Sequence, residues 1–240
     1  MRGVILIHGL TGTPATMAPL AEAFGKAGYK VITPILAGHG ETPKKLSAIK
    51  WNEWYDDVCK AYDALTTDAG EIYCAGISLG SLLALKLALD KRRPLKKIAA
   101  LSTPLKLSPL LEKMILPLTH IPPLRFFLKY SKKDWKEGVL DEIGREIYKN
   151  ASYPKMPVKS VWELQKLQKD LLKNLPQLKT PVLLIHSIKD KVALPLNVAL
   201  FRKISKLAPP KVLWLENSHH VVTLDTEKEL VAEYILNFFK

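Results

Sequence analysis

The 240-residue sequence has only two cysteines and no long apolar run. Two cysteines cannot build a disulfide framework, and Cys59 and Cys74 lie in stretches that predict a helix and a buried strand, so we expect both to be reduced core thiols. Polar residues and glycines interrupt every apolar run well short of the roughly 18 to 20 residues that cross a bilayer. These absences favour a soluble, cytoplasmic protein.

Arginine is also scarce, although the chain is basic. Only six of the 36 basic residues are arginine, and with 23 acidic residues the formal net charge is +13. Zinc-ligand spacings, Arg-rich stretches and aromatic-basic runs of the RNA-binding kind are missing, so nucleic acid is not an expected partner. Dispersed lysine is typical of a solvated surface, and weak contact with an anionic membrane remains an alternative.

What the sequence does contain is an alternation of short β-branched runs with segments of helical period. This pattern predicts a mostly parallel α/β sheet flanked by helices on both faces. The predicted strands are residues 4–7, 30–34, 72–75, 98–101, 182–186 and 212–215. The predicted helices, whose apolar residues recur at spacings of three and four, are residues 15–27, 51–65, 81–90, 194–206 and 226–239.

Residues 106–159 interrupt this alternation. Six prolines separate short amphipathic pieces, such as residues 110–118. A structureless loop of this length is improbable inside a compact domain, so the pattern predicts an inserted cap of short helices. The expected organisation is a core of residues 1–105 and 160–240 with a helical cap at 106–159.

The most informative motif is Gly76-Ile77-Ser78-Leu79-Gly80, a G-x-S-x-G between a predicted strand and a predicted helix. A sharp turn there strains the serine backbone, and the flanking glycines remove Cβ atoms that would collide across the turn. The Ser78 hydroxyl would then stand above the sheet. We therefore predict that Ser78 is a nucleophile, rather than part of a turn without chemistry.

A serine hydroxyl becomes nucleophilic when a histidine takes its proton and an acid orients that histidine. Asp190 follows the predicted strand 182–186, at the sheet edge where α/β proteins display functional groups, and we predict that it is the acid. His219 and His220 follow the next strand, and the residues alone do not decide which faces Ser78. The remaining histidines are expected to be structural: His8, His39, His120 and His186.

Acyl transfer also needs donors for the developing oxyanion, and two backbone amides are candidates. Leu79 directly follows the predicted nucleophile. Leu10 lies in the loop after the first strand, where Gly9 and Gly12 allow the backbone to turn beside the site. We predict that the N–H groups of Leu10 and Leu79 form the oxyanion hole.

Four stretches together resemble the bacterial carboxylesterase and monoacylglycerol lipase group of the α/β-hydrolase superfamily: HGLTGTPATMAPLAEAFGKAGYKVITPILAGHG, AGISLGS, HSIKDKV and NSHHVVTLD. The resemblance implies the α/β-hydrolase fold and maps the triad to Ser78, Asp190 and His220, because the family histidine directly precedes a V-x-T-L-D run. It maps the oxyanion amides to Leu10 and Leu79. It implies an ester as the small-molecule substrate and neither a cofactor nor a metal.

The sequence departs from the group at two places. Ser81 stands where a second glycine is usual, so its hydroxyl could crowd or hydrogen-bond near the site. The resemblance implies that monoacylglycerol lipases offer a cap carboxylate to the glycerol hydroxyls, and the matching stretch, residues 153–157, contains no acid. We therefore expect a serine carboxylesterase acting on short to medium acyl chains through an acyl-enzyme on Ser78. The alternative is a monoacylglycerol lipase or lysophospholipase acting on longer-chain lipids.

A binding protein that keeps the triad but turns over slowly is a different class of function that the same residues allow. Peptidases and C–C hydrolases share the G-x-S-x-G turn, so the motif alone does not separate them from esterases. Haloalkane dehalogenases are disfavoured because they carry a carboxylate where Ser78 stands. A monomer or homodimer is expected. The apolar side chains of the cap either line an acyl pocket or pack among themselves; they include Leu110, Leu111, Met114, Ile115, Leu116, Phe126 and Phe127.

Overall fold

The computed structural model describes residues 1–108, 129–206 and 210–240. Its strands, in chain order, are β1 (Arg2–Ile7), β2 (Lys30–Ile32), β3 (Glu71–Ile77), β4 (Ile98–Leu101), β5 (Tyr130–Lys132), β6 (Lys155–Pro157), β7 (Val182–Ser187) and β8 (Lys211–Leu215). Six of them form a parallel sheet in the order β2-β1-β3-β4-β7-β8. These are the six strands that the sequence predicted.

Helices connect the strands. They are α1 (Ala18–Lys26), α2 (Pro43–Leu46), α3 (Trp51–Thr66), α4 (Leu79–Ala88), α5 (Trp135–Gly138), α6 (Glu142–Asn150), α7 (Val158–Asn174), α8 (Leu196–Ile204) and α9 (Lys228–Phe239). The five helices predicted from apolar spacing correspond to α1, α3, α4, α8 and α9. In the described ranges, no helix is both long enough and apolar enough to cross a membrane.

The sheet is buried on both faces, which explains why its strands read as continuous apolar runs. In β1, Val4 and Leu6 belong to the core on the side of α1 and α9. The alternate residues, Ile5 and Ile7, belong to the core on the side of α3, α4, α7 and α8. Cys59 and Cys74 are buried free thiols, as expected.

α4 is apolar on nearly all sides because it is enclosed on nearly all sides. Its residues from Leu79 to Leu85 are buried, and it packs against β3, β4, α3 and α7. A helix that is apolar on all sides is typical of a buried position. The residue that precedes α4 is Ser78.

The segment between β4 and β7, which we call the cap segment (residues 102–181), differs from the expectation of short helices alone. β5 and β6 pair antiparallel in a separate two-stranded sheet. α7 was not among the predicted helices, although Val158, Val161 and Leu164 recur at helical spacing. The piece at residues 110–118 and the apolar residues proposed from its neighbourhood lie outside the described residues, and so does His120.

Candidate active site

Ser78 lies in the turn between β3 and α4, with a positive φ (φ 56°, ψ −117°). A side-chain-bearing residue adopts such a conformation only where its surroundings enforce it. Here the Ser78 N–H donates to the Leu101 carbonyl of β4 at 3.0 Å, and α4 is buried directly behind. The structure thus holds Ser78 at the carboxyl edge of the sheet.

Gly76 and Gly80 make this turn possible. A Cβ atom at Gly76 would lie 2.1 Å from the Gly80 carbonyl oxygen, and one at Gly80 would lie 2.1 Å from the Ile7 carbonyl oxygen. Both distances are far inside van der Waals contact, so a side chain fits at neither position. The Ser81 hydroxyl donates to the Ser78 carbonyl at 2.6 Å. The departure from the family pattern therefore adds a hydrogen bond within the turn.

Asp190 and His220 are in direct contact. His220 Nδ1–H donates to Asp190 Oδ2 at 2.8 Å, which leaves Nε2 as the acceptor nitrogen of the neutral ring. Asp190 Oδ1 accepts from the backbone N–H groups of Val192 and Ala193, each at 2.8 Å. Both side chains are buried. The carboxylate is fixed by backbone and in turn fixes the tautomer of the imidazole, as a general base requires.

The neighbouring histidine turns towards the cap segment. His219 Nδ1–H donates to the carbonyl of Lys136 in α5 at 2.6 Å. The structure therefore separates the two candidates that the sequence left open. His220 contacts Asp190, and His219 contacts α5.

Two residues that the sequence did not predict hold the turn at residues 219–220, which we call the histidine turn. The Ser102 hydroxyl, which directly follows β4, donates to the His220 carbonyl at 2.7 Å. Asp225 is fully buried, accepts from the His219 N–H at 2.6 Å and accepts from two backbone N–H groups between α5 and α6 at 2.9 and 3.0 Å. The visible signal for Ser102 was a polar residue directly after a strand. Its partner, the His220 carbonyl, is distant in sequence and could not be predicted from a local pattern.

The loop after β1 passes beside the serine. A Cβ built on Gly9 would lie 3.3 Å from Ser78 Cβ, and the Gly12 N–H closes the loop on the Gly9 carbonyl at 3.0 Å. Leu10 follows Gly9 in this loop, and Leu79 is the first residue of α4. The structure thus places both predicted oxyanion residues next to Ser78.

Two cavities meet at Ser78 and His220. The smaller has a volume of about 30 Å³ and is also lined by Thr16 and Tyr148, which is room for about one or two water molecules. The larger has a volume of about 250 Å³. Its apolar lining includes Leu10, Leu107, Met156, Val161 and Leu164. The serine therefore separates a very small space from a larger apolar one.

Lys133 and Tyr148 both line the larger cavity, and Lys133 also lies beside the ring of Trp135. Its Nζ donates to the Tyr148 hydroxyl at 3.0 Å and lies 5.2 Å and 4.6 Å from the ring centres of Trp135 and Tyr148. Removal from water lowers the pKa of Lys133 to about 7, and it raises the pKa of Tyr148 above its usual value. Of the carboxylates in the described ranges, none pairs with this ammonium.

The other described histidines bond to backbone, as expected of structural residues. His8 Nε2 accepts from the Leu36 N–H at 3.2 Å, and His39 Nδ1–H donates to the Ala37 carbonyl at 3.1 Å. Burial lowers the pKa of His8 to about 4 and that of His39 to about 3. His186 Nε2–H donates to a carbonyl at 2.6 Å. Within the part of the chain that the structure describes, no group of three or more His, Cys, Asp or Glu side chains could hold a metal ion.

The cap segment is tied to the loops around Ser78. The Tyr153 N–H donates to the Thr11 carbonyl at 3.0 Å, and its hydroxyl donates to the Gly38 carbonyl at 2.9 Å. The N–H of Val221, directly after His220, donates to the Gly138 carbonyl at 2.8 Å. These bonds connect the cap segment to both the Leu10 loop and the histidine turn.

Comparison with known proteins identifies the family. The family model described as "Serine aminopeptidase, S33" matches residues 2–227. The chain belongs to this serine hydrolase family of the α/β-hydrolase superfamily. This α/β-hydrolase is 31% identical over 238 residues to the thermostable monoacylglycerol lipase of Bacillus sp. (strain H-257), covering 99% of this chain and 90% of that one.

Two further relatives of this α/β-hydrolase cover nearly its whole length. The carboxylesterase of Bacillus subtilis (strain 168) is 25% identical over 240 residues, which is 100% of this chain and 92% of that one. A solved structure from work on the metagenome-derived lipolytic enzymes LipS and LipT is 32% identical, with a TM-score of 0.86 and coverage of 99% and 92%. The resemblance and the fold class predicted from the sequence are confirmed. The protein is a carboxylic ester hydrolase of the α/β-hydrolase superfamily.

Proposed function

We propose that this α/β-hydrolase is a serine carboxylesterase that acts on short to medium acyl chains through an acyl-enzyme on Ser78. One observation carries the proposal. His220 is oriented by Asp190 at 2.8 Å and lines the same two cavities as Ser78, whose strained turn presents it at the sheet edge. An alcohol, an imidazole and a carboxylate in this order form the constellation that activates serine.

The reaction proceeds in two halves. Ser78 Oγ attacks the ester carbonyl while His220 Nε2 accepts its proton, and Asp190 stabilises the imidazolium that forms. The N–H groups of Leu10 and Leu79 stabilise the tetrahedral oxyanion. His220 then protonates the leaving alcohol, and water hydrolyses the acyl-enzyme by the same sequence of proton transfers.

The cavities support a small ester. The larger, about 250 Å³, lies just below the roughly 300 to 1,000 Å³ that encloses drug-sized ligands. The smaller, about 30 Å³, accepts only a water molecule or a group of methyl size. Together they fit an ester in which one of the two groups, acyl or alcohol, has a modest length.

The division of the chain is also a proposal. We infer that residues 106–159 form the cap and that residues 1–105 and 160–240 form the core. β5 and β6 form a two-stranded sheet separate from the six-stranded one, whereas α7, which follows β6 directly, packs into the core cluster against α4. This change of packing supports a boundary near residue 158.

The alternative is a monoacylglycerol lipase, and the relative at 31% identity is a protein of that name. A series of p-nitrophenyl esters from acetate to palmitate, run beside monoacylglycerols of matching length, separates the two activities. A maximum of kcat/KM at short to medium chains supports the carboxylesterase. Activity that rises with chain length and is greatest on long monoacylglycerols supports the lipase.

A peptidase is disfavoured by the charge of the cavity, even though the family description names an aminopeptidase. An aminopeptidase has to accept the cationic N-terminus of its peptide. In its protonated form, Lys133, which pairs with no described carboxylate, would repel that ammonium group.

Replacing Ser78 with Ala tests the assignment. Ser78→Ala should lower kcat on p-nitrophenyl butyrate by about three to six orders of magnitude, because the nucleophile is lost while the fold remains. Circular dichroism checks the fold. A fluorophosphonate should label the wild type once and leave the variant unlabelled.

The matched control is Ser131→Ala, because Ser131 lines the larger cavity without a proposed role in the reaction. It should retain wild-type kcat within a few-fold. Persistent hydrolysis by Ser78→Ala would refute the assignment. Stoichiometric labelling of the wild type without turnover on a broad ester panel would instead identify a binding protein.

A further inference from the structure

Five charged side chains among the described residues line the larger cavity, and all but one of them contact an opposite charge or a backbone N–H group, or face solvent. They are Lys132, Lys133, Asp134, Glu137 and Lys191. Lys191 Nζ lies 3.8 Å from Glu137 Oε1. The Asp134 carboxylate accepts from two N–H groups of α5 at 2.8 and 3.4 Å, and Lys132 is exposed. Lys133 remains as the partly buried charge that no described carboxylate neutralises.

The structure holds Lys133 in place before any ligand arrives. It directly follows β5, and its N–H donates to the Pro154 carbonyl at 3.3 Å, next to the pairing of β5 with β6. Its Nζ is fixed by the Tyr148 hydroxyl. The Tyr148 ring is itself packed against α5, since a Cβ at Gly138 would lie 2.6 Å from it. The ammonium is therefore preorganised, which lowers the entropic cost of binding a ligand.

An ammonium group removed from water is destabilised unless an anion or hydrogen-bond acceptors replace its hydration. Lys133 offers three donors, and Tyr148 occupies one of them. The two aromatic faces offset only part of the charge. An anion entering the cavity would offset the remainder.

We infer that Lys133 binds an anionic group of the substrate, a carboxylate or a phosphate, located away from the scissile ester in the larger cavity. The inference rests on the proposed ester hydrolysis at Ser78, since both residues line that cavity. The substrate class is thereby narrowed to esters that carry a negative charge. Lys133 determines specificity and takes no part in proton transfer at the ester.

Two matched substrate pairs test this and distinguish the source of the charge. Mono-p-nitrophenyl glutarate against p-nitrophenyl pentanoate places a carboxylate on the acyl side. 1-Butyrylglycerol 3-phosphate against 1-butyrylglycerol places a phosphate on the alcohol side. For at least one pair, wild type should favour the anionic ester by about fivefold or more in kcat/KM.

Lys133→Met keeps an unbranched apolar side chain, one atom shorter than lysine, and removes the charge. It should lower kcat/KM on the favoured anionic ester about tenfold and change kcat/KM on the neutral ester less than about twofold. The tenfold loss corresponds to roughly 1.4 kcal/mol of transition-state binding, for the anionic ester alone. Lys133→Arg should retain most of the preference. Lys132→Met removes an exposed lysine of the same cavity and should leave the ratio unchanged.

Three outcomes would overturn the inference: no anionic preference in wild type, an equal loss on both members of a pair in Lys133→Met, or the same loss in Lys132→Met. The thermal unfolding midpoint of each variant shows whether it is folded. If Lys133→Met is not folded, the substrate preference of Lys133→Arg decides the inference. Hydrolysis of any of the four esters by wild type tests the proposed function separately. Its absence with all four would refute ester hydrolysis, whereas hydrolysis of the anionic members alone would support both proposals.

Discussion

At the scale of single residues, the position of Asp190 is the most demanding part of the site. One oxygen accepts from two backbone N–H groups, and the other accepts from His220. The aspartate cannot rotate without losing both sets of bonds. The sequence could single out Asp190 as a candidate because it follows a strand, whereas its two backbone donors belong to a loop whose shape no local pattern encodes.

Asp190→Asn should therefore lower kcat by about three to four orders of magnitude, because an amide can face His220 with its N–H groups and stabilise the wrong tautomer. Steady-state hydrolysis of p-nitrophenyl butyrate measures the loss, and near-ultraviolet circular dichroism confirms the fold. Glu137→Gln is the matched control, since Glu137 lines the larger cavity and pairs with Lys191. A kcat for Asp190→Asn within tenfold of wild type would contradict the proposed role.

The different orientations of His219 and His220 could not be predicted from their positions in the sequence. Both follow the same strand and both are polar, so only the family resemblance favoured His220. In the structure the difference arises from long-range partners, Asp190 for one ring and the Lys136 carbonyl for the other. Lys133 was not predicted for the same reason, since an absent counterion leaves no trace in the sequence.

At the scale of elements, apolar period predicted the strands of the large sheet and the helices beside it. β5 and β6 have three residues each, too few to show an alternation, and they were missed. α7 was missed although its apolar spacing is regular, because it begins at the edge of a proline-rich interval. The G-x-S-x-G turn was predictable because the steric exclusion at Gly76 acts within the five residues of the motif, whereas the exclusion at Gly80 is against the distant carbonyl of Ile7.

That exclusion leads to a paired prediction for glycine. Gly80→Ala places a Cβ 2.1 Å from the Ile7 carbonyl oxygen, whereas Gly25 in α1 has nothing within 4 Å of the same position. Gly80→Ala should abolish activity and greatly destabilise the fold. Gly25→Ala should stabilise it by about 0.5 to 1 kcal/mol, since alanine loses less backbone entropy in a helix.

Thermal unfolding midpoints and soluble yield of the two variants measure this difference. Activity of Gly25→Ala should equal that of wild type, because α1 is remote from the cavities. If Gly80→Ala were as stable and active as wild type, the packing described between α4 and β1 would be wrong.

At the scale of the whole molecule, stability depends on two histidines that remain neutral in the core. Burial lowers the pKa of His8 to about 4 and that of His39 to about 3, against about 6.5 in the unfolded chain. Between these values the unfolded state binds more protons than the folded state. The free energy of unfolding therefore falls as the pH is lowered from about 6.5 towards 4.

Between pH 7 and pH 5, each buried histidine should cost about 2 kcal/mol of stability. Urea unfolding at the two pH values measures the total, and His39→Gln should reduce the difference by about that amount. His219→Gln removes a histidine that is only partly buried and serves as the control. An unchanged pH dependence in His39→Gln would show that His39 is not the origin of the effect.

The bonds between the cap segment and the loops around Ser78 have a consequence for protein engineering. Tyr153 supports the Leu10 loop, Gly138 supports the residue after His220, and Asp225 joins the histidine turn to the segment between α5 and α6. The cap segment, which shapes the larger cavity, and the loops around Ser78 therefore cannot be exchanged independently. A chimera that imports the cap of a relative would need to import these contact loops as well, or it would displace Ser78 and His220 relative to each other.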